Sequence, residues 1–450
     1  VSEPTVRSIE RDELLVAETS EGVQELQRRE NTETSELGRE IGAVLRSNDL
    51  HIDPNSIDVE RRDDETMIIN MGPSHPSTHG VLRLMLELDG EYVLRCKPVI
   101  GYLHTGMEKT AEELSYIQGA TNVTRMDYLS PVINELNYSL AVEKLLGIEV
   151  PERAVWIRML MSELNRMSSH LVWMATNGMD LGSTSMMIYG LRERELILAF
   201  FEKTAGLRLN LNYVRPGGVA ADLPDGWKDD VEVICDTIDE RTYEYDQLLT
   251  GQPIFRERMV GVAPITAEEA LSLSVTGPVL RSTGVPWDLR RTMPYLAYDQ
   301  VEFDVIVGTY GDNFDRYAIR LNEIRESIRI VRQCVELMPS GDYRSQDPKV
   351  TPPPRARIGE SMEALIHHFK LFTEGFHVPV GEVYSAVESP RGEIGCYLVS
   401  DGSAKPYRLH VRGPSFVNLQ AIPLLMRGGS VSDAITTVST VDPVLGEVDR

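Results

Sequence analysis

Apolar and polar residues alternate with a period of two through VLRLMLELDGEYVLRCKPVI, residues 81–100, so that Leu82, Leu84, Leu86 and Leu88 share one face. Asp89-Gly90 interrupts the alternation, and the pattern predicts an antiparallel hairpin, with TMIIN at 66–70 as a further strand. Between them lies GPSHPSTHG, residues 72–80, whose His75 and His79 stand four apart. On a helix that spacing would let both grip one metal ion. Pro76 and the restriction it puts on the residue before it argue against a helix, so the stretch is expected to be a loop joining two strands.

The period then becomes helical. Ser130-Pro131 is a good cap and first position for a helix through VINELNYSLAVEKLL, closed by Gly147, and Pro151 opens a longer helix through ERAVWIRMLMSELNRMSSHLVWMATN. LRERELILAFFEKTAG and DNFDRYAIRLNEIRESIRIVRQCVELM continue the helical part, and Thr266 with Glu269 forms a capping-box signature. Toward the C-terminus GEVYSAV, GEIGCYLVS and YRLHVRG read as strands, the last two joined as a hairpin through DGSAKP. The expected class is α+β, a central helix bundle flanked by small antiparallel sheets from the N- and C-terminal regions. Residues 1–62 read as an acidic, extended N-terminal segment, and residues 63–450 as one domain: an N-terminal sheet (63–100), a helical core (101–375) and a C-terminal α/β part (376–450).

Composition narrows the function. The chain has 450 residues, 42% of them hydrophobic, enough for a sizeable core. A formal charge of −24 argues against nucleic acid, which needs a basic stripe to displace counterions. No apolar run is long enough for a membrane span, and the first residues have neither a signal core nor transit-peptide character, so the chain is expected to stay in the compartment where it is made. Cys96, Cys235, Cys334 and Cys396 are too scattered for a cluster or redox motif, so any iron-sulfur centre nearby must belong to another subunit.

Several polar groups stand out: His75 and His79 in the loop, Arg125, Asp127 and Tyr128 in RMDYLS, and Asp180 in NGMDLGS just past a helix. A histidine bonded to an aspartate is held in one tautomer with raised proton affinity, and a tyrosine hydroxyl donates to a carbonyl oxygen. Together they suit proton delivery to a reduced quinone or ketone. For each residue alone the bland reading, a structural side chain or a helix cap, is the stronger one. The Met-rich RMLMSELNRM reads as core packing. No nucleophile elbow, P-loop or dinucleotide fingerprint is present.

From about residue 65 to the last residue, NMGPSHPSTHGVLRLMLELDGE, IGYLHTGMEKTAE, RMDYLSP, YSLAVEKLLGIEVPERA, MDLGS, NYVRPGGVA, ESPRGEIGCYLVSDGSAKPYRLHVRGPSF and DPVLGEVDR resemble the family of D-type subunits of NADH:quinone oxidoreductase, respiratory complex I. That family is similar to the large subunit of nickel-iron hydrogenases, whose motifs RxCGxC and DPCxxCxxH (or R), laid on RMDYLS and DPVLGEVDR, put the four cysteine positions at Asp127, Ser130, Val444 and Glu447. All four thiolates are missing, which removes the soft ligands nickel-iron chemistry needs and leaves Arg125, Asp442, Pro443 and Arg450 as a frame.

The resemblance implies a hydrogenase-large-subunit-like fold and a quinone site closed by a neighbouring iron-sulfur subunit. It implies that His79 and Tyr128 hydrogen-bond the quinone headgroup, that Asp180 partners that histidine, and that Arg125 lies toward the neighbour's tetranuclear cluster; His75 shares the loop without an assigned role. It implies a proton-pumping translocase working only as a multisubunit complex, peripheral on the cytoplasmic side of a bacterial plasma membrane. The partners implied are the B-type iron-sulfur subunit, the C-type subunit, the ferredoxin-like I-type subunit and the H-type membrane subunit. Menaquinone or ubiquinone would be the substrate, with no metal on this chain. Two positions depart from many relatives: Thr105 stands where an arginine is common, and Asn210 where a histidine is common. Two rivals stand beside it: a hydrogenase-like metalloenzyme with an altered ligand set drawn from His75, His79 and carboxylates, and a non-catalytic scaffold in a hydrogenase-like membrane-bound complex in which this chain lacks its own metal site.

Overall fold

Leu82, Leu84, Leu86 and Leu88 are buried, as the alternation requires, and they seat a three-stranded antiparallel sheet on the core. The computed structural model describes residues 5–9, 66–75 and 78–450. The sheet consists of β2 (Thr66–Met71), β3 (Arg83–Asp89) and β4 (Tyr92–Val99), with Leu86 opposite Cys96. The histidine loop joins β2 to β3, as expected, and Pro76 and Ser77 lie outside the described residues. The two N-terminal stretches differ. Val6–Ser8 forms β1, paired in parallel with β7 (Val305–Val307), so residues 5–9 of the stretch read as an extension are tied to the helical core. The remainder of that expectation, through residue 62, lies outside the described residues.

Seven helices matter for the site: α1 (Pro131–Leu146), α2 (Glu152–Asp180), α3 (Thr184–Ala205), α4 (Trp227–Tyr245), α5 (Asn313–Leu337), α6 (Val431–Val441) and α7 (Leu445–Asp449). Gly147 closes α1 in a left-handed conformation, the usual end for a helix because glycine has no Cβ to clash. At its start, however, Ser130 makes no side-chain cap bond; the Asn165 amide oxygen accepts from Val132 N–H at 3.2 Å instead. A second departure concerns Asp180, which is the last residue of α2 rather than lying beyond it. The Thr266–Glu269 capping box forms at the start of Ala267–Ser272. The Glu135 carboxylate on α1 accepts from the N–H groups of Tyr213 and Val214 at 2.8 Å each, pinning the small hairpin of β5 (Val214–Arg215) and β6 (Gly218–Val219).

Helix α2 is buried almost all round, and its two faces differ in chemistry. Trp156, Leu160, Leu164, Met167 and Leu171 enter the main apolar core with residues of α3, α4 and α5, and the Met-rich stretch packs there as expected. The C-terminal sheet has order β10 (Arg408–Arg412), β9 (Gly392–Ser400), β8 (Gly381–Ser389), all antiparallel, with Ser389 opposite Gly392. The arrangement is α+β. Among the described residues no helix is long and apolar enough to cross a membrane. Because Leu160 is fully buried, Leu160→Ala is expected to cost about 2–5 kcal/mol of stability. Chemical denaturation of the purified protein measures it, and an unchanged midpoint would contradict this packing.

Candidate functional site

The site begins at the tight turn between β8 and β9, Pro390-Arg391, where an arginine in a hairpin turn would ordinarily reach solvent. Here it points inward and is fully buried. A buried guanidinium must be paired and hydrogen-bonded or it is prohibitively costly. Arg391 Nη1 lies 3.0 Å from Asp127 Oδ2 and 3.0 Å from Ser169 Oγ, and Nη2 lies 3.1 Å from Asp442 Oδ2. Its Nε donates to the Asp442 carbonyl at 3.2 Å, and Nη1 reaches Ser130 Oγ at 3.4 Å. One cation thus ties together the RMDYLS turn, helix α2, the end of α6 and the C-terminal sheet. Each carboxylate is held in turn: Asp127 Oδ1 accepts from Leu129 and Ser130 N–H at 3.0 and 3.2 Å, and Asp442 closes α6 at φ 55°.

Helix α7 covers this centre. Gly446 lies against the RMDYLS turn so closely that a Cβ there would come within 2.5 Å of the Met126 carbonyl and 3.3 Å of the Tyr128 ring. Beyond it, the Asp449 carboxylate accepts from Gly101 and Leu103 N–H at 2.8 and 2.7 Å, and Arg450 Nε lies 3.0 Å from Glu108. Glu447 is fully buried and accepts from Ser415 N–H at 3.0 Å and Oγ at 3.1 Å. Burial, reinforced by Asp127, pushes its carboxyl up to about 8, against the pull of Ser415 and Arg391. Asp127, Ser130 and Glu447 therefore gather around Arg391, with Val444 tied to Ser415 Oγ at 3.3 Å.

Tyr128 and His79 flank the same charges. Tyr128 is 40% exposed, and partial burial raises its proton affinity, opposed by Arg391 and aided by Asp127 and Asp442. The phenol therefore stays a donor. For His79, burial lowers the proton affinity, Asp442 raises it and Arg391 lowers it, which favours a neutral imidazole. The loop that presents it winds round one atom: the His75 carbonyl accepts from Thr78 N–H at 3.2 Å, Thr78 Oγ1 at 3.0 Å and Gly80 N–H at 3.3 Å. His79 itself has φ 53°, an uncommon conformation for a residue with a Cβ.

Asp180 stands elsewhere. Burial raises its proton affinity, while Ser439 and the charge of His75 lower it. The histidine charge that acts on Asp180 is that of His75, and the carboxylate charge that acts on His79 is that of Asp442. Arg125 is exposed beside Tyr128, with its carbonyl under Gly446. Among the described residues no group of three or more His, Cys, Asp or Glu is arranged to hold a metal ion, and all four cysteines are buried and unpaired.

The family described as "Respiratory-chain NADH dehydrogenase, 49 Kd subunit" matches residues 180–450. The NADH-quinone oxidoreductase D subunit of Frankia alni is 53% identical over 407 residues, covering 86% of this chain and 87% of that protein. The D 2 subunit of Koribacter versatilis is 52% identical over 400 residues (89% and 100%), and the D 1 subunit of Roseiflexus castenholzii 54% over 389 (86% and 93%). The chain belongs to the D-subunit family of NADH-quinone oxidoreductase. It is accordingly a subunit of complex I, a respiratory-chain NADH dehydrogenase.

For a complex I subunit, the residue that sequence reasoning passed over is Arg391. It sits in the stretch ESPRGEIG, but a charged residue in a Pro-Arg-Gly turn carries no local sign of burial. Asn210, at a common histidine position, has φ 53° and a buried Oδ1 without a protein partner among the described residues. Arg391→Met leaves Asp127 and Asp442 buried without their counter-ion and is expected to cost about 3–5 kcal/mol, read from denaturation midpoints. Glu447 yields a pH test. The unfolded glutamate ionises near its ordinary value of 4.5, while the folded one keeps its proton to about 8, so folding binds the extra proton and wild-type stability falls as pH rises across that window. Glu447→Gln should flatten this decline in thermal melts; parallel curves for the two proteins would contradict it.

Proposed function

We propose that this chain forms, with an adjacent iron-sulfur subunit, the quinone-reduction site of a proton-pumping NADH-quinone oxidoreductase. The observation that carries the reading is that Tyr128 and His79, far apart in sequence, both feel the Arg391–Asp442 pair, with Tyr128 partly open to solvent. The relatives' names supply the substrate class, a quinone. Reduction adds two electrons and two protons to the two carbonyl oxygens of the headgroup. The Tyr128 hydroxyl donates to one end of the headgroup and the neutral His79 imidazole to the other, both being kept as donors by burial. A change of charge on His79 is felt first by Asp442 and Arg391. Asp180 is re-poised by the loss of charge on His79.

Electrons come from the tetranuclear cluster of the B-type neighbour, with exposed Arg125 on the turn nearest it. The C-, I- and H-type subunits complete the surroundings, and the assembly lies on the cytoplasmic face of a bacterial plasma membrane. The hydrogenase-large-subunit-like reading of the fold is supported by the gathering of Asp127, Ser130 and Glu447 round Arg391: a permanent cation stands where the related enzymes hold metal cations. Tyr128→Phe and His79→Ala should each lower quinone reduction by about 100-fold in the assembled complex. NADH oxidation with an artificial acceptor should be unaffected. Quinone kinetics unchanged in both variants would overturn the site assignment.

A further inference from the structure

The helix Met362–Thr373 wears its apolar side outward. Of its 12 residues Ala364 and Leu371 are buried, while Met362, Leu365, Ile366, Phe369 and Phe372 are exposed, Met362 by 76% and Phe369 by 64%. Their spacing of three and four residues puts them on one face. Together they present about 500 Å² of apolar surface, as much as the largest patch of an ordinary monomer, and a patch of that size marks a docking site. The opposite face enters, through Leu371, the apolar cluster that also holds Met126, two residues before Tyr128. Basic groups border the patch. Lys370 follows Phe369, and the short helix Arg355–Ile358, packed against this one, exposes Arg355 and Arg357. None of the three enters an ion pair among the described residues. The acidic neighbours Glu363 and Glu374 each have a histidine, His367 at 3.9 Å and His377 at 3.6 Å.

A segment of the same chain has the complementary features. Residues 10–65 lie outside the described residues, and both their ends are anchored: Ile9 N–H donates to the Val307 carbonyl at 3.0 Å, and β2 begins at Thr66, opposite Asp89. The segment holds 17 acidic residues and 7 arginines, a net charge of −10. Within it, SELGREIGAVLR at 35–46 is the one stretch whose apolar residues keep a helical period over two turns, at Leu37, Ile41, Val44 and Leu45. Glu36 and Glu40 border that face. Gly38 and Gly42 lower its helix propensity, so a helix there depends on packing against an apolar partner. Length permits the contact. From residue 9 to 37 an extended chain spans about 90 Å and from 45 to 66 about 70 Å, against a diameter of about 60 Å for a compact domain of this size.

We propose that residues 35–46 seat as an amphipathic helix on the exposed face of Met362–Thr373. Leu37, Ile41, Val44 and Leu45 meet Met362, Ile366, Phe369 and Phe372, and Gly38 and Gly42 let the two backbones approach past the phenylalanine rings. Glu36 and Glu40 face Lys370, Arg355 and Arg357. Both ends of the segment are tied to the same domain, so the contact is intramolecular, and a few turns of helix hold where a separate partner of that size would dissociate. The seated segment covers the back of the cluster that supports the turn bearing Tyr128. Nothing in this contact depends on quinone chemistry.

A photoreactive benzoylphenylalanine placed at position 369 of the full chain, in the assembled complex, reads the neighbour directly. The adduct is expected within residues 35–46 of the same chain. An adduct on another subunit, on a second copy or on no peptide would overturn the proposal. Accessibility gives an independent reading, because the four native cysteines are buried and leave a new surface thiol as the target. Phe369→Cys should react with a maleimide about tenfold faster when Ile41→Asp is also present, since the aspartate opposes burial of that face. Equal rates with and without Ile41→Asp would contradict the contact. If the substituted chains do not assemble, a structure of the wild-type complex decides: residues 35–46 lying on Met362–Thr373 support the docking, and another chain or solvent there refutes it.

Discussion

The pairing of the buried Arg391 guanidinium with Asp127 and Asp442 is the interaction on which the rest of the site depends. It joins four stretches that the chain order keeps far apart, and it does so where burial makes each unpaired charge costly. A hydrophobic substitute could fill the same volume, yet it could not orient two carboxylates at once. With the guanidinium fixed, the Asp442 charge acts on His79, Asp127 supports the turn bearing Tyr128, and α7 closes over that turn by way of Gly446.

Around that cation the proton-bearing groups are sorted by environment. Tyr128 and Glu447 are pushed toward their protonated forms and His79 toward its neutral one, so the centre offers neutral donors around a fixed ion pair. This suits a substrate that becomes negatively charged before it is protonated. Between α2 and α5 buried charge continues into the core, where His170 Nε2 lies 2.9 Å from Glu323 Oε2.

Much of the fold was legible because its signals are local. The period-two leucines, the Gly147 stop, the Thr266 capping box and the C-terminal hairpin each depend on neighbours in sequence, and each formed. The prolines of GPSHPSTHG likewise argue for the loop, although Pro76 itself lies outside the described residues. What escaped depends on tertiary contact. Ser130 lost its cap role because Asn165, from another helix, supplies the bond. Glu163 and His170 of α2 find their partners in Ser327 and Glu323 of α5, more than 150 residues on, which no local pattern announces.

The most direct measurement is a structure of the whole complex with a bound quinone analogue. The account predicts the headgroup between the Tyr128 hydroxyl and the His79 imidazole, with Arg391 still bridging Asp127 and Asp442 beneath it. A headgroup bound away from both side chains, over an Arg391 that has left its two carboxylates, would contradict it.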